Sequence, residues 1–352
     1  MKADRSRPQR GRPPTLRDVA AYADVSMMTV SNVINERTAR VSEQTRVRIL
    51  AAIDKLGYRP QRSARGLRMQ REYAIGLTIV RPDRRFLDDP YVTEVAAGMS
   101  NRLAAAGYGL MVNGVTDVDG LKALLTHASN VDGLAVMASG PRPGREEVYR
   151  LLERLHHPLA IIQDDMAGLA DTCCFIQDDE TGARMITEQV IAAGARTLFF
   201  AAPDHLWPAV ERREAGVRAA ARRRAKVMRI GCNEADFQGS IATILAAFER
   251  RGVPDAVVGA NDQIGIAAIH AAMQRGLVVP DDLMVTGFNA FPFRQFSGPL
   301  ISSMRSPAYA LGEAAAVGLL SRIDGEGFET TKQVLPVVPA EGVTIRMCRE
   351  TL

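Results

Sequence analysis

The sequence predicts three short helices followed by a larger α/β region whose strands form two lobes. Apolar residues recur at helical spacing between residues 15 and 57. From residue 73 onward, short apolar runs alternate with helical stretches, a pattern typical of parallel sheets. About ten such alternations are too many for one simple sheet, which favours two lobes. The length of 352 residues also favours two or three domains.

Composition excludes several classes of protein. The chain is 47% hydrophobic and 24% charged, as in ordinary globular proteins. No run of 18 apolar residues is present, so we expect no membrane span. Residues 1–14 are basic and polar, which predicts a disordered leader rather than a secretory signal. The four cysteines and five histidines have no metal-ligand spacing. We therefore predict neither a metal nor a cofactor.

Charge is distributed unevenly along the chain. The first 70 residues carry 15 basic and six acidic side chains, whereas the remaining residues carry 29 and 34. A small basic segment on a mildly acidic body indicates a nucleic-acid module joined to another domain. The alternative is a solvated basic tail.

The first two predicted helices are short and closely joined. Thr15 and Asp18 form a capping box with Asp in place of the usual Glu, and this helix breaks near residues 23–25. Ser26 is the next N-cap, and Val30 begins the apolar stripe of the second helix. Two helices joined by so tight a turn are typical of a helix-turn-helix.

A third helix completes the segment. Ser42 caps it and Gly57 ends it. Its inner face is predicted to consist of four apolar residues, Val47, Leu50, Ile53 and Leu56. Three such helices can bury one small core, which leaves the second helix free to enter a major groove. A three-helix bundle without a DNA role is the alternative.

A dense resemblance to a known family begins at residue 15. The segments TLRDVAAYADVS, TVSNVIN and VSEQTRVRILAAIDKLGYRPQRSARGLR resemble the DNA-binding headpiece of the lactose/galactose repressor (LacI/GalR) family. The resemblance implies a sequence-specific transcriptional regulator, a repressor, with a headpiece at 15–59. Its helix-turn-helix occupies 16–35, and a hinge helix or linker follows at 60–72.

The resemblance also assigns contacts with DNA. Met27 and Met28 open the recognition helix and face base edges, and Asn32 reaches bases one turn later. The family often has Arg at that last position. Asparagine suits adenine, and methionine makes apolar contact with thymine methyls. The full predicted DNA-binding set is Thr15, Ser26, Met27, Met28, Thr29, Ser31, Asn32, Asn35, Arg62, Leu67 and Arg68.

Residues 60–68, PQRSARGLR, resemble the hinge helix of the family. Leu67 matches a leucine that relatives push into the minor groove, where an apolar wedge kinks the duplex. Gly66 departs from the family pattern and costs roughly 1 kcal/mol relative to alanine in a helix. We expect this hinge to be harder to order without DNA. A plain basic linker is the alternative.

The larger region resembles the effector domain of the same family, which looks like a periplasmic sugar-binding protein. The matching segments include DGLAVMAS, QDDETGARM, RREAGVRAA and ANDQIGIAAIHAAMQRGLVVPDDLMVTGFNA. The predicted fold class is thus an all-α helix-turn-helix headpiece plus an α/β two-lobed periplasmic-binding-protein-like effector domain at 73–352. On the family pattern the chain crosses between the lobes three times, near residues 172, 299 and 331. The first lobe is then 73–172 and 300–330, and the second is 173–299 and 331–352.

The resemblance places an effector cleft at the carboxyl ends of the strands. Arg213 matches an arginine that binds effector hydroxyls or carboxylates, and Phe237 matches an aromatic that stacks on a sugar ring. Asp164 and Asn289 stand where many relatives have Arg and Asp. The full predicted set is Tyr91, Asp164, Arg213, Phe237, Asn261 and Asn289. For each, the alternative is a strand-end polar group satisfied by the backbone.

The partners implied are pseudo-palindromic double-stranded operator DNA, a small-molecule effector (a sugar or sugar acid) and a second copy in a homodimer. An enzyme is one rival, but residues 73–352 lack a GxGxxG opening, a Walker loop, a GxSxG elbow and a metal cluster. A solute receptor outside the cytoplasm is the other. The headpiece and the lack of a signal peptide argue against it. We predict a cytoplasmic regulator that is not an enzyme.

Overall fold

A computed structural model describes residues 14–34, 41–58, 71–127, 131–233 and 235–347 of the chain. The chain divides into two compact units, Met1–Glu72 and Tyr73–Leu352. The predicted leader at 1–14 lies outside the described residues except for its last position. So does the predicted hinge helix at 60–68.

The first unit consists of α1 (Leu16–Ala23), α2 (Met27–Ile34) and α3 (Glu43–Leu56). The predicted capping box is confirmed: the Thr15 hydroxyl accepts from the Asp18 N–H, and the Asp18 carboxylate accepts from the Thr15 N–H at 2.8 Å. Ser42 caps α3 as predicted. Gly57 ends α3 in a left-handed conformation, with φ of 63°, which glycine adopts at little cost.

The core of the first unit differs in phase from the prediction. Its fully buried centre includes Val19, Val30 and Ile49, with Ala52 beside them. Val47 and Leu50 were predicted to face inward, but they are 57% and 44% exposed. The prediction is wrong for these two residues because α3 turns Ile49 and Ala52 toward α1 and α2, whereas Ile53 and Leu56 pack against the core as predicted.

The second unit alternates strands and helices. Its strands are β1 (Ala74–Val80), β2 (Gly109–Val115), β3 (Gly133–Ala138), β4 (Leu159–Ile162), β5 (Thr172–Gln177), β6 (Thr197–Pro203), β7 (Lys226–Cys232), β8 (Ala256–Gly259), β9 (Met284–Thr286), β10 (Ser303–Arg305), β11 (Lys332–Leu335) and β12 (Val338–Ala340). Its helices are α4 (Pro90–Ala105), α5 (Val118–His127), α6 (Arg142–Glu153), α7 (Asp179–Ala192), α8 (Pro208–Ala221), α9 (Phe237–Arg251), α10 (Asp262–Gln274) and α11 (Ala308–Ile323).

Two parallel sheets form the two lobes of this unit. The first has the strand order β11-β5-β4-β3-β1-β2, and the second has the order β7-β6-β8-β9. Helices α4 and α11 lie on the first sheet and pack closely against each other. A Cβ at Gly98 or Gly312 would lie 2.1 Å from a carbonyl oxygen of the facing helix, so both positions require glycine.

The crossings between lobes lie several residues beyond the predicted positions. β5 pairs with β4, and β11 pairs with β5, so residues 172–177 and 332–335 belong to the first lobe. β10 pairs with β12 on the second lobe, and the chain returns to the first lobe only at α11. The predicted boundaries at 172, 299 and 331 are therefore corrected, because each strand completes its pairing before the chain crosses.

Candidate functional site

The outer face of α2 is the candidate DNA-reading surface. Val30 and Val33 are buried on the inner side of this helix. At 100° per residue the opposite side is a sector about 140° wide. It consists of Met27, Met28, Ser31 and Asn32. The two methionines are 52% and 61% exposed. The helix sequence MMTVSNVI contains no charged residue. This face therefore presents two thioethers, a hydroxyl and a carboxamide.

The turn before α2 positions that face. The Ser26 hydroxyl accepts from the Thr29 N–H at 3.0 Å, and the two hydroxyls lie 2.8 Å apart. Ser26 is thus the N-cap, as predicted, and the Ser26 and Thr29 hydroxyls lie at the amino end of the helix, where the backbone favours anions. Four other predicted DNA contacts, Asn35, Arg62, Leu67 and Arg68, lie outside the described residues.

Four of the six predicted effector residues meet in one cavity between the two lobes. Tyr91 comes from the first lobe, and Arg213, Asn261 and Asn289 come from the second. The cavity is completed by Asp89, Met137, Gln163, Trp207, Ala209 and Val210. Residues from distant parts of the chain therefore form one site with polar and aromatic walls.

Arg213 is the most densely bonded side chain of this site. It is 4% exposed, and its guanidinium donates to Asp179 at 2.8 Å, to Asn289 Oδ1 at 3.0 Å and to the Ala260 carbonyl at 2.6 Å. The Phe288 ring lies 3.9 Å beneath it. Arg213 thus has a structural role in the second lobe besides any contact with a ligand.

Tyr91 carries a hydroxyl that the cavity does not satisfy. The side chain is 4% exposed, and the hydroxyl makes no hydrogen bond of normal geometry to any described residue, although the Gln163 carboxamide lies beside it. Burial first, and then the negative charge of Asp179, raise the pKa of Tyr91. The hydroxyl is therefore neutral and available to a bound polar molecule.

The other two predicted effector residues, Asp164 and Phe237, do not line this cavity. Asp164 is buried and accepts from Arg145 at 2.8 Å and from the Tyr149 hydroxyl at 2.9 Å, so its charge is already neutralised. The ring of Phe237 packs edge-on against His270, 5.4 Å away between centroids, and does not line the cavity. The start of α9 places this ring against α10 instead.

Several contacts between the lobes were not predicted from the sequence. Arg145 on α6 reaches Glu211 on α8, with nitrogen–oxygen distances of 3.1 and 3.3 Å. The Gly140 N–H donates to the Leu206 carbonyl at 2.7 Å. Arg145 stands in the charged run RPGREEVYR, which reads as a solvated helix, so no signal in the sequence indicated its burial.

His205 makes a further contact between the lobes, 2.6 Å from the Ser139 hydroxyl. That hydroxyl is also 2.9 Å from the Val80 carbonyl, to which only the hydroxyl can donate. The hydroxyl has one proton to donate, so the direction of its bond with Nε2 follows the tautomer of the imidazole. Burial and the charge of Arg81 lower the pKa of His205, which keeps the ring neutral at physiological pH.

No group of three or more His, Cys, Asp or Glu side chains among the described residues could hold a metal ion. No helix in the described ranges is long and apolar enough to cross a membrane.

Comparison with known proteins identifies both units. The family description "Bacterial regulatory proteins, lacI family" matches residues 15–61, which contain α1, α2 and α3. The description "Periplasmic binding protein-like domain" matches residues 187–344. The chain belongs to the LacI family of regulators. It is a transcriptional regulator with a LacI-type DNA-binding domain, and members of this family are not enzymes.

Individual relatives resemble this LacI-family chain over nearly its whole length. The ribose operon repressor of Bacillus subtilis is 28% identical over 328 residues, which cover 92% of this chain and 96% of the relative. A lac repressor dimer bound to operator and the anti-inducer ONPF matches with a TM-score of 0.82 at 24% identity, covering 96% of this chain and all of that one. The regulator CelR in complex with cellobiose matches with a TM-score of 0.68 at 24% identity, over 94% of this chain and 99% of that one.

Proposed function

We propose that this LacI-family regulator is a cytoplasmic repressor that binds a pseudo-palindromic operator as a homodimer. A sugar or sugar acid in the cavity between the lobes controls this binding. The proposal rests on one interlobe cavity, which is lined by Tyr91 from the first lobe and by Arg213, Asn261 and Asn289 from the second. The same chain has a LacI-type headpiece. The headpiece, at 15–59, is the DNA-binding domain, and the region from residue 73 binds the effector.

The outer face of α2 also supports a specific reading of the operator. Methionine side chains make apolar contact with the thymine methyl, and a carboxamide can pair with the N6 and N7 edge of adenine. Met27, Met28 and Asn32 therefore favour A·T pairs, and this face has no arginine to read guanine. We expect A·T pairs at the bases that α2 contacts in each half-site.

Selection from randomised duplexes with the intact protein tests the DNA half of the proposal. We expect enrichment of a two-fold symmetric site with A·T pairs at the α2 positions. Replacing a contacted thymine by uracil removes one methyl group and should weaken binding about four-fold, since a buried CH₂ is worth about 0.8 kcal/mol. Met28→Ala should bind the thymine and uracil sites almost equally.

Val47→Ala is the matched control for the methionine variant, because Val47 is an apolar residue of the same unit, 57% exposed, on α3. It should retain the preference for thymine. Enrichment of G·C pairs at the α2 positions would contradict the proposed contacts of the methionines with thymine. It would not contradict the proposal that the protein binds an operator. If no sequence is enriched, the operator proposal itself is wrong.

Tyr91→Phe tests the effector half. After a thermal-shift screen of sugars and sugar acids has identified a ligand, we expect this variant to bind it about ten-fold more weakly, the value of one hydrogen bond. The melting temperature of the free protein should not fall, because the change removes a buried hydroxyl that has no described partner. Calorimetry and thermal unfolding measure the two effects.

Tyr108→Phe provides the control for that variant. Tyr108 is also buried in the second unit but does not line the cavity, so ligand affinity should stay at the wild-type value. Unchanged affinity in Tyr91→Phe would remove Tyr91 from the site.

A further inference from the structure

Arg145 and Glu211 form an ion pair whose two partners are held very differently. The Arg145 side chain is 2% exposed, whereas that of Glu211 is 43% exposed. Within its own lobe, Arg145 also donates to Asp164 at 2.8 Å and to the Gly140 carbonyl. Asp164 in turn accepts from the Tyr149 hydroxyl at 2.9 Å. The guanidinium is therefore fixed and its charge balanced whether or not Glu211 is present.

Glu211 is the part of this network that the second lobe supplies. It begins the exposed face of α8, and both of its carboxylate oxygens meet the Arg145 guanidinium. Separating the lobes would return a half-exposed carboxylate to water, where it is well solvated, and would leave the Arg145–Asp164 pair intact. Within this network, only the Arg145–Glu211 contact is lost when the lobes separate.

The neighbouring backbone crosses the cleft at the same edge. Gly140 adopts a φ of 96°, where only glycine is unstrained, and its carbonyl accepts from Arg145 while its N–H donates to the Leu206 carbonyl at 2.7 Å. Arg145 therefore holds the carbonyl of the same residue whose N–H contacts the other lobe. The interlobe hydrogen bond and the interlobe ion pair share one anchor.

We propose that the Arg145–Glu211 pair is a clamp that helps to hold the two lobes together and contributes to the free energy required to open the cleft. The regulatory meaning of the clamp rests on the proposed function, because an effector bound between the lobes acts on the same equilibrium. A weaker clamp increases the open population before any ligand binds. The strength of this one pair thus tunes the response of the regulator.

Hydrogen exchange at the Gly140 amide measures opening directly, because that N–H donates across the cleft. In the intact protein without ligand or DNA, we expect Glu211→Gln to accelerate this exchange about five-fold, as much as a partly exposed ion pair can supply. Exchange at Ser139, whose N–H donates at 3.0 Å to Val80 within the first lobe, should not change. Electron-transfer fragmentation resolves these adjacent amides.

Salt and a second variant exclude a local effect of the substitution. Raising the salt concentration should accelerate Gly140 exchange in the wild type and have less effect in Glu211→Gln, since screening and substitution remove the same attraction. Glu188→Gln is the matched control, because Glu188 pairs with Arg184 along α7 inside the second lobe. It should leave Gly140 exchange at the wild-type rate.

Unchanged protection of Gly140 in Glu211→Gln overturns the clamp, as does equal acceleration in Glu188→Gln. Both results are obtained without effector or operator, so they are independent of whether the proposed function holds. If Glu211→Gln accelerates Gly140 exchange but binds the selected duplex with wild-type affinity, the clamp stands and only its regulatory role is overturned.

Discussion

Replacing Arg213 by alanine is expected to lower the free energy of unfolding of the second unit by about 3–5 kcal/mol, because it removes one partner of a buried ion pair. Asp179 has no exposed surface and would retain only the 3.2 Å contact with Arg212 and a hydrogen bond from Gln177. The Ala260 carbonyl and the Asn289 carboxamide would also lose a charged donor. Denaturant unfolding of the full chain measures the loss.

Two further variants separate charge from side-chain volume in this result. Arg218→Ala removes an arginine of the same helix that is 54% exposed and pairs with Glu214, and it should cost less than about 1 kcal/mol. Adding Asp179→Asn to Arg213→Ala should recover part of the loss, because the unpaired carboxylate is then gone. A loss below 1 kcal/mol for Arg213→Ala would mean that Arg213 serves the ligand alone.

Ile49→Ala is expected to abolish specific DNA binding and leave the unfolding of the second unit unchanged. Ile49 is fully buried in the three-helix core, and truncating such a side chain costs about 2–5 kcal/mol. A helical unit of this size buries little surface and has little stability to lose. Binding to the selected duplex and circular dichroism of the full chain test the two parts.

Leu50→Ala is the control for the core variant, because Leu50 is the next residue of α3 and is 44% exposed. It should bind the duplex with nearly wild-type affinity. Wild-type binding by Ile49→Ala would show that the headpiece tolerates a cavity at its centre.

Local signals along the chain determined much of the headpiece. Thr15, Ser42 and Gly57 act on backbone groups three or four residues away, so helix ends could be read from the sequence alone. The inward face of α3 could not, because apolar residues occupy more than one stripe of this helix. Ile49 rather than Leu50 is buried only because α1 and α2 pack on that side.

The alternation of apolar runs and helices determined the α/β class, and the family resemblance located four residues of the cavity. What the sequence left undetermined depends on partners far along the chain. Asp164 stands where a ligand contact is expected, but Arg145, 19 residues away, neutralises it. Glu211 meets Arg145 across 66 residues.

The same reason explains the shifted lobe boundaries. Paired residues of β5 and β11 are 158 positions apart in the chain, as in the pairing of Lys332 with Cys174. No local pattern indicates such a pairing. Helix caps and strand periodicity arise from neighbouring residues, and the sequence displays them. Burial of a charge and closure of a cleft arise from which distant side chains meet, and only the tertiary structure decides that.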